Sequence, residues 1–138
     1  LFEGTDFSVG RGTDWPFQVV GYPDPVFGDF TFTPGEKSGM AKHVEGKGKT
    51  NYGLDLMGLN PDDQEFTLRY LLDFYQRMPD KSRFFSRPDF FDQLAGTDQL
   101  RKQIIAGMTE EEIRQSWKPE LTAYKQMRKK YLLYPDFE

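Results

Sequence analysis

The first thirteen residues, Leu1-Phe-Glu-Gly-Thr-Asp-Phe-Ser-Val-Gly-Arg-Gly-Thr13, constrain the fold more than any other stretch. Gly4, Gly10 and Gly12 permit positive φ or a close backbone approach. The run therefore reads as a strand, a turn and a second strand. Phe2, Phe7 and Val9 supply the anchors to a core. Glu3, Thr5, Ser8, Arg11 and Thr13 supply the groups that best recognise a polar ligand. Two readings fit this pattern: a strand-turn-strand element whose Arg11 pairs with a structural carboxylate, or a site for a polar ligand.

Beyond this stretch the pattern alternates and then becomes helical. Trp15 to Pro23 reads as a strand that starts at Pro16, where a proline removes no ladder donor. Pro23-Asp24-Pro25 is a turn. Val26 to Thr33 is a short strand with Phe30 and Phe32 on one face. Pro34 to Thr50 holds glycines, lysines and His43 with almost no large apolar residue, and reads as a long loop. Asn51 to Leu59 returns to alternation, with Tyr52, Leu54 and Leu56 on the apolar face.

Asn60-Pro61-Asp62-Asp63 is a helix start, with an N-cap, a first-turn proline and acids at the positive end of the dipole. The apolar residues from Phe66 to Tyr75 form two adjoining stripes, which predicts a largely buried helix ending at Met78-Pro79. Pro88-Asp89 opens a second helix that reaches Leu94. Gly96 closes it, and Thr97 caps a third whose Leu100, Ile104 and Ile105 face inward. Thr109 and Glu112 form a capping box. A last helix is expected from about Pro119 past Tyr131, with Trp117, Leu121, Tyr124 and Tyr131 as its core-facing stripe. The sum is an α+β domain: a small N-terminal β-sheet followed by about four packed α-helices.

Composition excludes several functions. At 138 residues the chain is one domain with enough length for a core. The hydrophobic share is only 37%, but thirteen Phe and seven Tyr let large rings fill the interior. There are no cysteines, so disulfides and thiolate metal sites are ruled out. A net charge of −4 argues against a nucleic-acid binder, and the Arg-Phe mixture of 83–91 is offset by Asp89 and Asp92. No apolar run has membrane-spanning length. Because Leu1 is not Met, a mature product or a fragment is expected.

The catalytic inventory is short. His43 is the only histidine and sits in the long loop, so it reads as an exposed imidazole or a sugar contact. No metal site and no cofactor are expected. Glycoside hydrolysis needs two carboxylates across the scissile bond. Here only Glu3 lies among glycines and hydroxyls. The three glutamates Glu110 to Glu112 are explained by the helix dipole.

The opening LFEGTDFSVGRGT, followed by PFQVVGYP, resembles the start of the C-terminal domain of the NamZ family, peptidoglycan exo-β-N-acetylmuramidases. Phe32-Thr33-Pro34, Tyr52-Gly53-Leu54-Asp55, Leu94-Ala95-Gly96-Thr97 and Tyr131-Leu132-Leu133-Tyr134 extend the resemblance in order over nearly the whole chain. Asn51 departs from it, since cysteine is expected there. The resemblance implies that residues 1–138 are one domain of a two-domain glycosidase whose Rossmann-like N-terminal domain is absent from this chain. It places the principal catalytic carboxylates on that domain and makes this chain alone inactive. Glu3, Ser8, Arg11 and Thr13 match the family motif and would bind substrate at the interdomain face. Glu3 is the sole catalytic candidate, and Arg11 would hold the lactyl carboxylate of an N-acetylmuramic acid glycoside or an acid across the cleft. A periplasmic or extracellular location is implied. The other reading is a non-catalytic module that binds cell-wall glycan or protein. A purely structural domain, with Arg11 tying its ends together, is the third.

Overall fold

The computed structural model describes residues 1–37, 44–59 and 66–135. Strands β1 (Val19–Tyr22), β2 (Phe30–Phe32) and β3 (Asn51–Asp55) precede helices α1 (Arg69–Arg77), α2 (Pro88–Ala95), α3 (Gln99–Ile105) and α4 (Glu110–Arg128). The sheet is antiparallel with β3 in the centre, in the order β1-β3-β2. This is the α+β arrangement that the sequence predicts. His43 and the helix start at Asn60 to Asp63 lie outside the described residues.

Aromatic rings hold the layers together. Phe7 contacts Phe27, Phe74, Tyr22, Phe84 and Phe2 with ring centroids 4.8 to 5.7 Å apart. One ring thus ties the opening segment to the sheet, to the turn after it and to α1. Phe84, Phe85 and Phe91 continue the cluster toward α2. Ile104 of α3 and Ile113 of α4 close it, both fully buried.

Several expected details are corrected. The first strand begins at Val19, because residues 15–18 form a turn in which Gln18 N–H donates to Trp15 O. On β3 the buried positions are Asn51 and Gly53, while Tyr52 and Leu54 are half-buried: a central strand packs on both faces. Asn51 Nδ2 donates to Gly46 O and Lys49 O, so its amide holds the preceding loop. Phe66 precedes α1 and is exposed, and the helix buries one face, Leu71 and Phe74, leaving Asp73 and Gln76 in solvent. Ile105 is exposed, because the four-residue step from Leu100 carries Ile104, and not its neighbour, onto the core.

The largest correction concerns α4. The expected break before Pro119 does not occur, and one helix runs from the capping box at Thr109 through Pro119 to Arg128. A proline inside a helix deprives one carbonyl of its donor. Here that carbonyl belongs to Gln115, an exposed residue that water can serve. Only Ile113 is buried and only Trp117 packs beside it; Leu121, Tyr124 and Tyr131 are exposed, contrary to the expected core stripe. The helix continues beyond the body that its first turns cover.

The first turn of α4 also caps α1. Glu110 accepts from Leu68 N–H at 3.0 Å and from Thr67 Oγ1 at 2.9 Å, and Arg114 donates to it as well. Burial pushes this carboxyl up, but the bonds from Leu68, Thr67 and Arg114 outweigh it and hold it below the usual range. A depressed folded pKa stabilises above the unfolded value near 4.5 and loses that contribution as pH falls. We expect Glu110→Gln to cost about 1 kcal/mol at pH 7. Urea titrations of both proteins should converge as the pH drops through the carboxylate range.

Candidate functional site

The opening segment is threaded between the sheet edge and the α2 approach. Ser8 pairs with Gly21 on the edge of β1 away from β3, with hydrogen bonds of 2.8 and 3.0 Å. Asp6 N–H donates to Phe84 O, and Arg87 N–H donates to Gly4 O. At Gly4 a Cβ would lie 2.8 Å from the backbone of Phe91, so a side chain there would lever the segment off α2. Thr5 and Phe7 are buried, while Glu3 and Val9 are half-buried.

Thr13 organises the turn that follows. Its buried hydroxyl donates to Gly10 O at 2.6 Å and accepts from Trp15 N–H at 3.0 Å. Gly10 has φ 78°, and a Cβ there would collide with Trp15 O and Val19. The loop is therefore folded tightly over itself, and Arg11 projects from it.

Of the four residues singled out in the sequence, the structure brings two into contact. Arg11 Nη2 donates to Glu3 Oε1 at 2.5 Å, and each side chain is about one-third exposed, 35% and 31%. The guanidinium carbon also lies 5.1 Å from the ring centroid of Phe17. Ser8 and Thr13 are at the same end of the segment but face inward; Ser8 Oγ is buried with no hydrogen-bond partner among the described residues. The turn accounts for the split: Thr13 bonds back to Gly10 O inside it, while Arg11 projects from it toward Glu3.

Two neighbours escape sequence reasoning. Arg87 reaches Glu45 at 3.2 Å, and these two line a crevice of about 10 Å³ together with Glu3 and Arg11. No local signal joins Glu45 to Arg87, which are 42 positions apart. Each of the two glutamates is already held by an arginine. On the other side Glu3 borders a wider hollow of about 370 Å³ walled by Phe91, Leu94, Leu100 and Trp117. Among the described residues no cluster of three His, Asp or Glu could hold a metal ion, and no helix is long and apolar enough to cross a membrane.

Residues 1–134 match the family described as exo-beta-N-acetylmuramidase NamZ, C-terminal. The chain belongs to this family. The peptidoglycan beta-N-acetylmuramidase NamZ of Bacillus subtilis (strain 168) is 30% identical over 154 aligned positions, which take in 97% of this chain and 35% of the relative. The crystal structure of a DUF1343 family protein from Bacteroides fragilis superposes with a TM-score of 0.86 at 41% identity, covering 98% of this chain and 38% of that one. This chain thus spans little more than a third of the length of each of these two proteins. The match includes the whole glycine-rich opening, so the Glu3–Arg11 pair lies in a segment that the NamZ C-terminal domains share in outline.

Thr13→Val removes the hydroxyl while keeping the shape. The loss of its two buried bonds should cost about 1–3 kcal/mol in chemical denaturation. An unchanged midpoint would show that Gly10 and Trp15 hold the turn without it.

Proposed function

We propose that this chain is the C-terminal domain of an exported exo-β-N-acetylmuramidase, which releases N-acetylmuramic acid from the non-reducing ends of peptidoglycan fragments. In this reading it closes one side of a substrate cleft. The principal catalytic carboxylates come from a Rossmann-like N-terminal domain. The observation that carries it is the Glu3–Arg11 pair, about one-third exposed and fixed by the glycine-rich turn, on a segment inside the family match over residues 1–134. A guanidinium pairs bidentately with a planar anion, and N-acetylmuramic acid carries a lactyl carboxylate. The bond to Glu3 is made by one terminal nitrogen of the fork, Nη2.

Glu3 then acts by orienting Arg11 and adding negative charge at the cleft. Ser8 and Thr13 act through the backbone, one by seating the segment on β1 and the other by folding the turn. Glu3 and Glu45 each already hold an arginine, which supports placing the acid and nucleophile or base elsewhere. A periplasmic or extracellular place of action follows from the substrate. The second reading, a glycan-binding module without catalysis, is favoured by the exposure of Trp15 and of Phe17, the latter with Arg11 over its ring.

Hydrolysis of a chromogenic β-N-acetylmuramide separates the two. Cleavage is expected when the Rossmann-like domain of a family member is supplied, and not from this chain alone. In that assay Arg11→Ala should lose about 2 kcal/mol or more of transition-state binding, roughly thirtyfold in kcat/KM. Its stability should change by no more than about 1 kcal/mol, as for other solvent-exposed ion pairs. A fully active, folded Arg11→Ala enzyme would remove Arg11 from the site.

A further inference from the structure

The turn at residues 15–18 carries two features that the fold does not require. Phe17 has φ 64°, the only left-handed backbone at a non-glycine position among the described residues. A bulky side chain adopts that conformation only under constraint. The residue is also 57% exposed, so burial in a core does not compensate. The constraint is visible: Phe17 N–H donates to Val9 O at 2.7 Å, and Gln18 N–H closes the turn on Trp15 O at 3.1 Å. Glycine or asparagine would satisfy the same backbone without strain, and a polar side chain would suit the same exposure.

What the strain achieves is the placement of a ring beside a fixed cation. The Arg11 guanidinium lies over one face of the Phe17 ring, 5.1 Å from its centroid, and is itself held by Glu3 at 2.5 Å, so a ligand would stack on the opposite face and reach the cation around the ring edge. Trp15, two residues before Phe17 and 38% exposed, leans on Phe30. A pyranose is amphipathic in the matching sense. Its axial C–H groups make one face apolar, its hydroxyls project around the rim, and an acidic substituent adds an anion at the edge. A flat ring flanked by a guanidinium fits a pyranoside that carries a carboxylate better than it fits a neutral sugar.

We propose that Phe17 is a stacking platform for the pyranose ring of a muramyl glycoside, with Arg11 reading the carboxylate of the same residue. This rests on the muramidase reading and names the group that would position its substrate. Phe17 binds and orients; it transfers no proton.

The test uses the 138-residue chain and saturation-transfer NMR with methyl β-N-acetylmuramide at millimolar concentration. Methyl β-N-acetylglucosaminide, which lacks the lactyl carboxylate, is the comparison ligand. The wild-type chain should bind the muramide more tightly than the glucosaminide. Phe17→Asn should weaken muramide binding about tenfold, while Phe17→Trp stays within about threefold of wild type. Because asparagine tolerates the left-handed conformation, Phe17→Asn should melt no lower than wild type. Arg11→Ala should abolish the preference for the muramide.

Three results would overturn the platform: no binding by the wild-type chain, wild-type binding by Phe17→Asn, or a marked fall in its melting temperature. The last would make the ring a scaffold element. In the hydrolysis assay with the Rossmann-like domain supplied, cleavage with an unchanged KM in Phe17→Asn would remove the platform and keep the muramidase reading. Binding through Phe17 without any cleavage would do the reverse.

Discussion

The packing of the Phe7 ring governs where everything else in the N-terminal half lies. It meets five other rings, drawn from the opening segment, the sheet, the turn after β1, α1 and the approach to α2. Full burial of an aromatic side chain stabilises by about 1.5–3 kcal/mol, and edge-to-face contacts add to it. With Phe7 fixed inward, the turn that Thr5 N–H closes on Phe2 O and the bridge from Ser8 to Gly21 decide the sides taken by its neighbours. Thr5 and Ser8 are drawn in with it, and Glu3 is left at the rim.

The candidate site depends on that anchor in a second way. Arg11 sits four residues beyond Phe7, on a loop that the Thr13 hydroxyl and Gly10 fold back on itself. Had the loop been extended, Arg11 and Glu3 would lie too far apart to pair. The same compaction forces Phe17 into its left-handed conformation and brings its ring beside the guanidinium. Scaffold and site are one piece of chain here: inward-facing hydroxyls shape it, and an arginine, a glutamate and a ring use its outer surface.

The sheet and the short helices were legible because their signals are local. Gly96 in the left-handed conformation after α2 and the Thr109–Glu112 capping box appear where the residues imply them. Long-range decisions were not legible. Nothing near Glu110 announces that it will cap α1, whose first residue lies 41 positions earlier by the numbering of the two residues. The stripe of Leu121, Tyr124 and Tyr131 has the periodicity of a buried face, yet no described element lies over it. Periodicity reports that a helix is amphipathic; it does not report what covers the apolar side.

By itself the sequence determined an α+β chain with an aromatic core, a glycine-rich opening bearing Glu3 and Arg11, and membership legible in ordered motifs. These are set by composition, by turn chemistry and by residues close together in the chain. The tertiary structure alone decided that Glu3 and Arg11 touch while Ser8 and Thr13 face inward, that Pro119 lies within a continuous helix, and that Phe17 stands strained and exposed beside the cation. Each of those outcomes depends on which surfaces meet after the chain has folded. Spacing along the sequence leaves them open, because one pattern of side chains fits several arrangements until packing selects among them.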